Sequence, residues 1–293
     1  MPSLKEVKNR ISSVNSTIQI TSAMKMVSAA KLKRAQDAIT QMRPYAEKLT
    51  EILANLSSSL DAAEGAYSQE REVKSILIIP ITSNRGLCGA FNANVIKKTN
   101  KLIKEQAEGT SITVMSIGKK SDDFYKKTEY NIRGSRLPRH LNEIYDDLTF
   151  ENVAPKVEKV MDAYAHKQFD RVVLVYNKFK NAAVQLLTTE QLLPAVPPEN
   201  DSSTAVNNDY IFEPDKEEIV ADLVPKSLKT QLYKALLDSH AAEHGARMTA
   251  MHKATDNAEE LLRDLRLSYN KARQAAITGE ILEIVGGAEA LKG

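Results

Sequence analysis

Three groups of residues in this 293-residue chain have types and spacings that could do chemistry. Arg85-Gly-Leu-Cys-Gly89 follows a short apolar run, and a glycine-containing turn between a strand and a helix can cradle an anion on backbone N–H groups. It matches neither Gly-x-Gly-x-x-Gly nor the phosphate-binding loop with its terminal Lys and Ser or Thr. The glycines then read as a tight turn, and Cys88 as a small buried residue rather than a nucleophile. His240-Ala-Ala-Glu-His244 sets two imidazoles four apart on one helix face. Its Glu is misplaced for the hydrolytic His-Glu-x-x-His zinc motif, so a solvated or partner-facing pair is expected. The other histidines, His140, His166 and His252, form no cluster in sequence. Last, Arg273, Gln274 and Thr278 stand in a stretch otherwise made of Ala and Ile. Gln274 and Thr278 share a helix face, and Arg273 points about 100° away. An Arg fork with neighbouring polar groups suits directed hydrogen bonds to a partner's carboxylates. The expectation is no catalytic, cofactor-binding or metal site.

Composition sets wider limits. Forty Lys and Arg against 38 Asp and Glu give a net charge of +2, which excludes a strongly basic nucleic-acid binder by bulk charge. The positive charge is concentrated at one end: residues 1–57 hold nine Lys and Arg and four acids. One cysteine allows no intrachain disulfide and fits a reducing compartment. The first residues lack signal-peptide or transit-peptide character, and no run of 18 apolar residues exists.

The elements that must position these residues are long helices around an α/β segment. Leu4, Val7, Ile11, Val14 and Ile18 space apolar residues three and four apart, and Leu32, Ala35, Ile39, Met42, Ala46, Leu49 and Leu53 resume the same frame. Residues 3–57 therefore read as one helix of roughly 80 Å, kinked at Pro44. Thr21, Lys25 and Ser28 occupy the seam positions between the two runs. The apolar residues there shift to Met24, Val27, Ala29 and Ala30, and a change of neighbours is expected. Residues 58–72 form a linker. Strands are expected at 75–80, 111–117, 170–176 and 184–189, and helices at 91–106, 119–127 and 139–166. This alternation argues for a mostly parallel sheet. Residues 194–208 are turn-rich. Helix resumes at 216 and runs to about 285, with Pro225 an early interruption and Leu261 and Ala275 among its expected buried positions. Two terminal helices this long outrun what the insert can cover, so they should pair antiparallel. The fold class is α/β: a long antiparallel coiled coil of the terminal helices with an inserted Rossmann-like domain. The segments are 1–57, 58–72, 73–208 and 209–293.

Three stretches resemble one family. Ile18-Gln-Ile-Thr-Ser-Ala-Met-Lys-Met-Val-Ser-Ala-Ala-Lys31 is similar to the N-terminal helix of F-type ATP synthase gamma subunits of bacterial type. Arg85-Gly-Leu-Cys-Gly-Ala-Phe-Asn92 looks like their loop after the first central strand. Ala272-Arg-Gln-Ala-Ala-Ile-Thr-Gly-Glu-Ile-Leu-Glu-Ile-Val-Gly-Gly-Ala288 resembles their C-terminal signature. Gly279 departs from the long polar residue common in that signature, and Asn84 from a frequent Asp. The cysteine-bearing segment of chloroplast relatives is absent. The resemblance implies a rotor shaft without an active site or cofactor, coupling ion flow to ATP synthesis or hydrolysis. The implied partners are the α and β subunits of an α3β3 hexamer, the epsilon subunit and the c-ring. The implied place is the cytoplasmic face of the bacterial inner membrane. Met24, Arg273, Gln274 and Thr278 are the implied subunit contacts. An enzyme built on the α/β segment and a coiled-coil scaffold or chaperone are the competing readings. The first lacks a catalytic constellation, and the C-terminal signature discriminates against the second.

Overall fold

The computed structural model describes residues 3–57, 67–69, 71–106, 109–132, 137–139, 141–195 and 216–290. The elements are α1 (Leu4–Ser57), β1 (Ser75–Pro80), α2 (Phe91–Glu105), β2 (Ser111–Val114), α3 (Lys119–Tyr125), a 3-10 turn (Leu141–Tyr145), α4 (Phe150–Ala165), β3 (Arg171–Phe179), β4 (Gln185–Leu193) and α5 (Lys216–Ala290). The chain divides into two compact units, one of Met1–Ser28 with Arg247–Gly293, the other Ala29–Ala246. Much of the expected 58–72 linker and of the turn-rich 194–208 stretch, with His140, lies outside the described residues.

In the larger unit the strand order is β2-β1-β3-β4. β1 runs parallel to both neighbours, and β4 returns antiparallel to β3. Ile76–Pro80 are all buried, as the central strand of a covered parallel sheet requires. Their alternation sorts them between two faces. Leu77, Ile79 and Ile81 pack with Val153, Val157, Val160 and Tyr164 of α4 and with Leu228, Leu232 and Leu236 of α5. Ile76 and Ile78 pack with Val95 and Ile103 of α2 and Tyr125 of α3. Each such side chain contributes about 1.5–3 kcal/mol by leaving water. The remaining part of α1 in this unit buries Leu32, Ala35 and Leu49.

The expected 139–166 helix is two elements. The chain leaves the 3-10 turn, and Thr149 is extended (φ −106°, ψ 158°) before α4 starts at Phe150. Asn152 Nδ2 donates to the Asp147 carbonyl, which fastens the break. Strand β2 is shorter than expected, with Ile117 joined to Ile81 only as an isolated bridge. β3 and β4 are longer than expected. Pro225 lies inside α5 without ending it, and α5 extends to Ala290 rather than about 285.

Gly118 allows the ends of β1 and β2 to close. Its φ is +93°, and a Cβ there would stand 2.0 Å from the Thr82 carbonyl oxygen. No other residue fits without moving backbone.

In the smaller unit α1 and α5 pair antiparallel. Thr21 Oγ1 meets Thr255 Oγ1 at 2.7 Å, and Lys25 Nζ meets His252 Nδ1 at 3.3 Å. The expected shift of the seam away from Thr21, Lys25 and Ser28 does not occur, although α1 passes from the smaller unit to the larger directly after Ser28. Thr21 and Ser28 are buried, Lys25 is half-buried, and Met26 and Val27 are exposed. The heptad frame therefore runs on through polar residues. A threonine can serve there because its hydroxyl also reaches its own helix, Thr21 to the Thr17 carbonyl and Thr255 to the Met251 carbonyl. On α5 the seam uses Met251, Thr255, Ala258 and Leu262, while Leu261 and Ala275, both expected inside, are exposed.

Candidate functional site

Ligands of open α/β sheets bind outside the carboxyl ends of the strands, where neighbouring connections diverge. Here that position holds the loop after β1, residues 82–90. Several of its polar groups are bonded within the loop and to the start of α2. Ser83 N donates to Asn92 Oδ1 at 2.9 Å, Asn92 Nδ2 donates to Ser83 Oγ at 2.9 Å, and Ser83 Oγ donates to the Arg85 carbonyl at 2.6 Å. Cys88 is 1% exposed and packs with Phe91 of α2, Ala242 of α5 and Phe179 of β3. Cys88 is thus the small buried residue expected, with Asn92 Nδ2 at 3.2 Å from its Sγ.

Asn84 shows why an amide suits its position. Its Nδ2 donates to the Asn142 carbonyl at 2.7 Å, and its Oδ1 accepts from Lys119 N at 3.0 Å. An aspartate could make only the second bond. Leu87, on the same loop, is 64% exposed with φ +63°, an uncommon conformation for a side chain of that size.

The histidine pair differs from expectation. His244 is buried and His240 half-buried, so the pair is not solvated. Their Nε2 atoms are 3.1 Å apart. The Tyr145 ring stacks on His240 with centroids 5.9 Å apart. The Tyr145 hydroxyl donates to the Thr82 carbonyl at 2.9 Å, tying this part of α5 to the loop after β1. Burial pushes the Tyr145 phenol well above its ordinary pKa, and the charge of Glu243 acts in the same direction. Nothing in the sequence pattern announces this stack, because Tyr145 lies about 100 residues away from the helix it meets.

The four contact residues expected from the sequence do not form one cluster. Met24 is half-buried on α1, beside an outward stripe in which Ile20 and Val27 are 59% and 58% exposed. Arg273, Gln274 and Thr278 are exposed on α5. The pairing of Thr21 with Thr255 extrapolates to place Leu4 opposite about residue 272. Beyond that point α5 continues past the start of α1, and Ile281, Leu282, Ile284 and Val285 are all more than half exposed. A helix end that shows four large apolar side chains to solvent, with Glu280 and Glu283 on its remaining face, is a surface made for contact with another chain. No helix among the described residues is long and apolar enough to cross a membrane.

Comparison with known proteins agrees along the whole length. A family model described as ATP synthase matches residues 3–291. The ATP synthase gamma chain of Flavobacterium johnsoniae is 60% identical over 294 residues, covering 100% of both chains. That of Chlorobaculum tepidum is 47% identical over 298 residues, again covering 100% of both. Among solved structures, a chain of the Euglena gracilis mitochondrial ATP synthase in a cryo-EM structure of OSCP, F1 and c-ring has a TM-score of 0.66 at 21% identity. The match covers 98% of this chain and 94% of that one. A chain from the central stalk and c-ring of the Tetrahymena thermophila enzyme has a TM-score of 0.56 at 23% identity, covering 80% of this chain and 99% of that one. Those two likenesses concern the fold, while the full-length identities are decisive for kinship: the chain belongs to the ATP synthase gamma-chain family.

Proposed function

We propose that this chain is the central rotor shaft of an F-type ATP synthase, turned by ion flow through a c-ring and acting on the catalytic sites of an α3β3 hexamer. The observation that carries the reading is a full-length kinship with gamma chains combined with an apolar α5 end open to solvent. The shaft is asymmetric, so each β subunit meets a different face at each angle. Contacts that favour one β conformation over another shift its population and hence its affinity for nucleotide. Arg273, Gln274 and Thr278 offer directed hydrogen bonds to β-subunit loops, and Met24 offers an apolar contact lower on α1. The α/β layer, with the epsilon subunit, sits on the c-ring. Membrane attachment is indirect, through the ion-conducting sector at the cytoplasmic face of a bacterial inner membrane.

The chain has no catalytic site of its own in this reading. Calorimetric titration of the isolated chain with Mg-ATP is expected to give no heat of tight binding, and micromolar affinity would overturn that part. Native mass spectrometry of the purified complex tests the assembly. One copy of this chain with three α and three β subunits is expected, and any other ratio would sink the shaft assignment.

A further inference from the structure

His240 and His244 leave the same face of α5 one turn apart. Their Nε2 atoms are separated by 3.1 Å, their ring planes meet at 88°, and their ring centroids are 4.6 Å apart. A head-on N–H···N bond would put the centroids two full ring radii farther apart than the nitrogens. The observed excess is smaller, so the rings are bent away from the N···N line and the contact is not a head-on hydrogen bond. We propose that this pair is a bidentate site for a borderline divalent transition-metal ion of the zinc, nickel, copper or cobalt class, for which imidazole is a suitable ligand.

Distance and spacing both fit. Two nitrogens bound at about 2.0–2.1 Å to one tetrahedral ion stand about 3.3 Å apart, within a few tenths of an ångström of the pair as it is. Two histidines at i and i+4 are also the spacing by which zinc-binding helices present imidazoles to one ion. The misplaced Glu243 removes the hydrolytic base of that motif, which makes the site structural rather than catalytic. Glu243 is nevertheless buried next to His244, and its charge is felt at Tyr145.

The surroundings hold the ligands in place. Tyr145 stacks on His240 with an interplanar angle of 20° and is itself anchored to the Thr82 carbonyl. Such neighbours fix ring orientation as a metal ligand needs. The half-buried His240 leaves an approach for an ion that keeps part of its water. Among the described residues no group of three or more His, Cys, Asp and Glu side chains could hold a metal. Water therefore completes the coordination, and the binding strength is that of a two-imidazole chelate. The ion would cross-link two turns of α5 where Tyr145 joins that helix to the loop after β1, stiffening the junction without taking part in nucleotide chemistry.

The test uses the full-length chain, stripped with EDTA and titrated separately with zinc and nickel chloride by calorimetry and thermal unfolding. One ion per chain and a raised unfolding temperature are expected. His240→Gln and His244→Gln should each weaken binding by about tenfold or more, whereas His252→Gln should leave it unchanged. Electron spin-echo measurements with copper(II) should count two coordinated imidazoles in the parent and one in either variant. Should His244→Gln fail to fold, His240→Gln alone decides, since that side chain is only half-buried. Absence of binding up to about 1 mM ion, or equal binding in His240→Gln, would overturn the proposal and leave a simple hydrogen bond between the rings.

Discussion

The α/β layer and the helix pair of the smaller unit treat their apolar residues in opposite ways. In the layer, Leu77, Ile79, Val153, Val157 and Leu174 are fully buried, the strand residues by alternation and the two valines by their spacing on one face of α4. In the helix pair, Thr21, Ser28 and Thr255 are buried while Ile20, Met26, Val27, Ile281, Leu282, Ile284 and Val285 face outward. A layer that hides its apolar groups is stabilised by itself. The helix pair buries Val7, Met251, Ala258 and Leu262 beside its hydroxyls, yet leaves much of its apolar surface open to something outside the chain. The two regions therefore separate the tasks of folding and of contact, and substitutions should separate them too.

The largest effect is expected in the layer. Gly118→Ala forces a Cβ onto the Thr82 carbonyl at a φ of +93°, and backbone strain with overpacking should cost about 3 kcal/mol or more. Urea unfolding of the full chain measures it. A loss below about 1 kcal/mol would show the β1–β2 junction to be pliable.

At the other extreme of the comparison, Arg273→Ala with Gln274→Ala touches exposed groups. Stability should change by less than about 0.5 kcal/mol. ATP turnover of the assembled complex should fall several-fold, because a charge-assisted hydrogen bond to a partner is worth roughly 2–3 kcal/mol. Unchanged turnover, on complexes checked for α, β and gamma content, would remove these residues from the contact surface. Met24→Lys should have a smaller effect on assembly than on coupling. Equal ion pumping per ATP hydrolysed in variant and parent would count against a role for the Met24 face.

Replacing Thr21 and Thr255 together by Val probes the buried hydroxyl pair. Removing both partners at once leaves no orphaned group, so stability should shift by no more than about 1 kcal/mol in either direction. A larger loss would mean that the hydroxyls hold the helices in register. The smallest change is expected from Asp238→Asn in the larger unit. Burial raises the pKa of the Asp238 carboxyl, a rise that Lys234, Lys178 and Arg43 oppose and Glu190 assists. The folded chain thus binds this proton more tightly than the unfolded one. The resulting stability is complete below the ordinary value of 3.8 and is lost as pH rises through the raised value. At neutral pH the Asn variant should be slightly more stable, with the gain vanishing in acid below that value. Melting curves at several pH values check the sign.

Much of this architecture is legible in the residues. Spacing alone predicts the two apolar runs Leu4 to Ile18 and Leu32 to Leu53, and every position named in them is buried or half-buried. The polar interruption at Thr21, Lys25 and Ser28 misled because pattern reading counts hydroxyls as outside, whereas a helical threonine can bond its own preceding turn. The break at Thr149 leaves no mark in the pattern because apolar spacing continues across it. Buried status for His244 was not legible, since it depends on chain segments that meet α5 only after folding. Gly245 is a similar case. A Cβ there would come within 3.1 Å of Ala182 Cα, a constraint set by a distant hairpin. Arg273, Gln274 and Thr278 are exposed on α5, where their own polarity among Ala and Ile already sets them apart in the sequence.

The end of α5 has a consequence for how the chain enters an assembly. Gly279, Gly286 and Gly287 have nothing within 4 Å of where a Cβ would stand. Together they subtract about 3 kcal/mol of helix propensity relative to alanine, in a stretch with no neighbouring helix to repay it. Order in that stretch and concealment of its isoleucines thus become one event, completed when a surrounding subunit closes over it. Before that moment the chain faces kinetic partitioning: its oily end meets either the intended cavity or another unassembled copy. The ratio is governed by how promptly α and β subunits arrive, so their supply relative to this chain should set the yield of usable complexes more strongly than the stability of the α/β layer does.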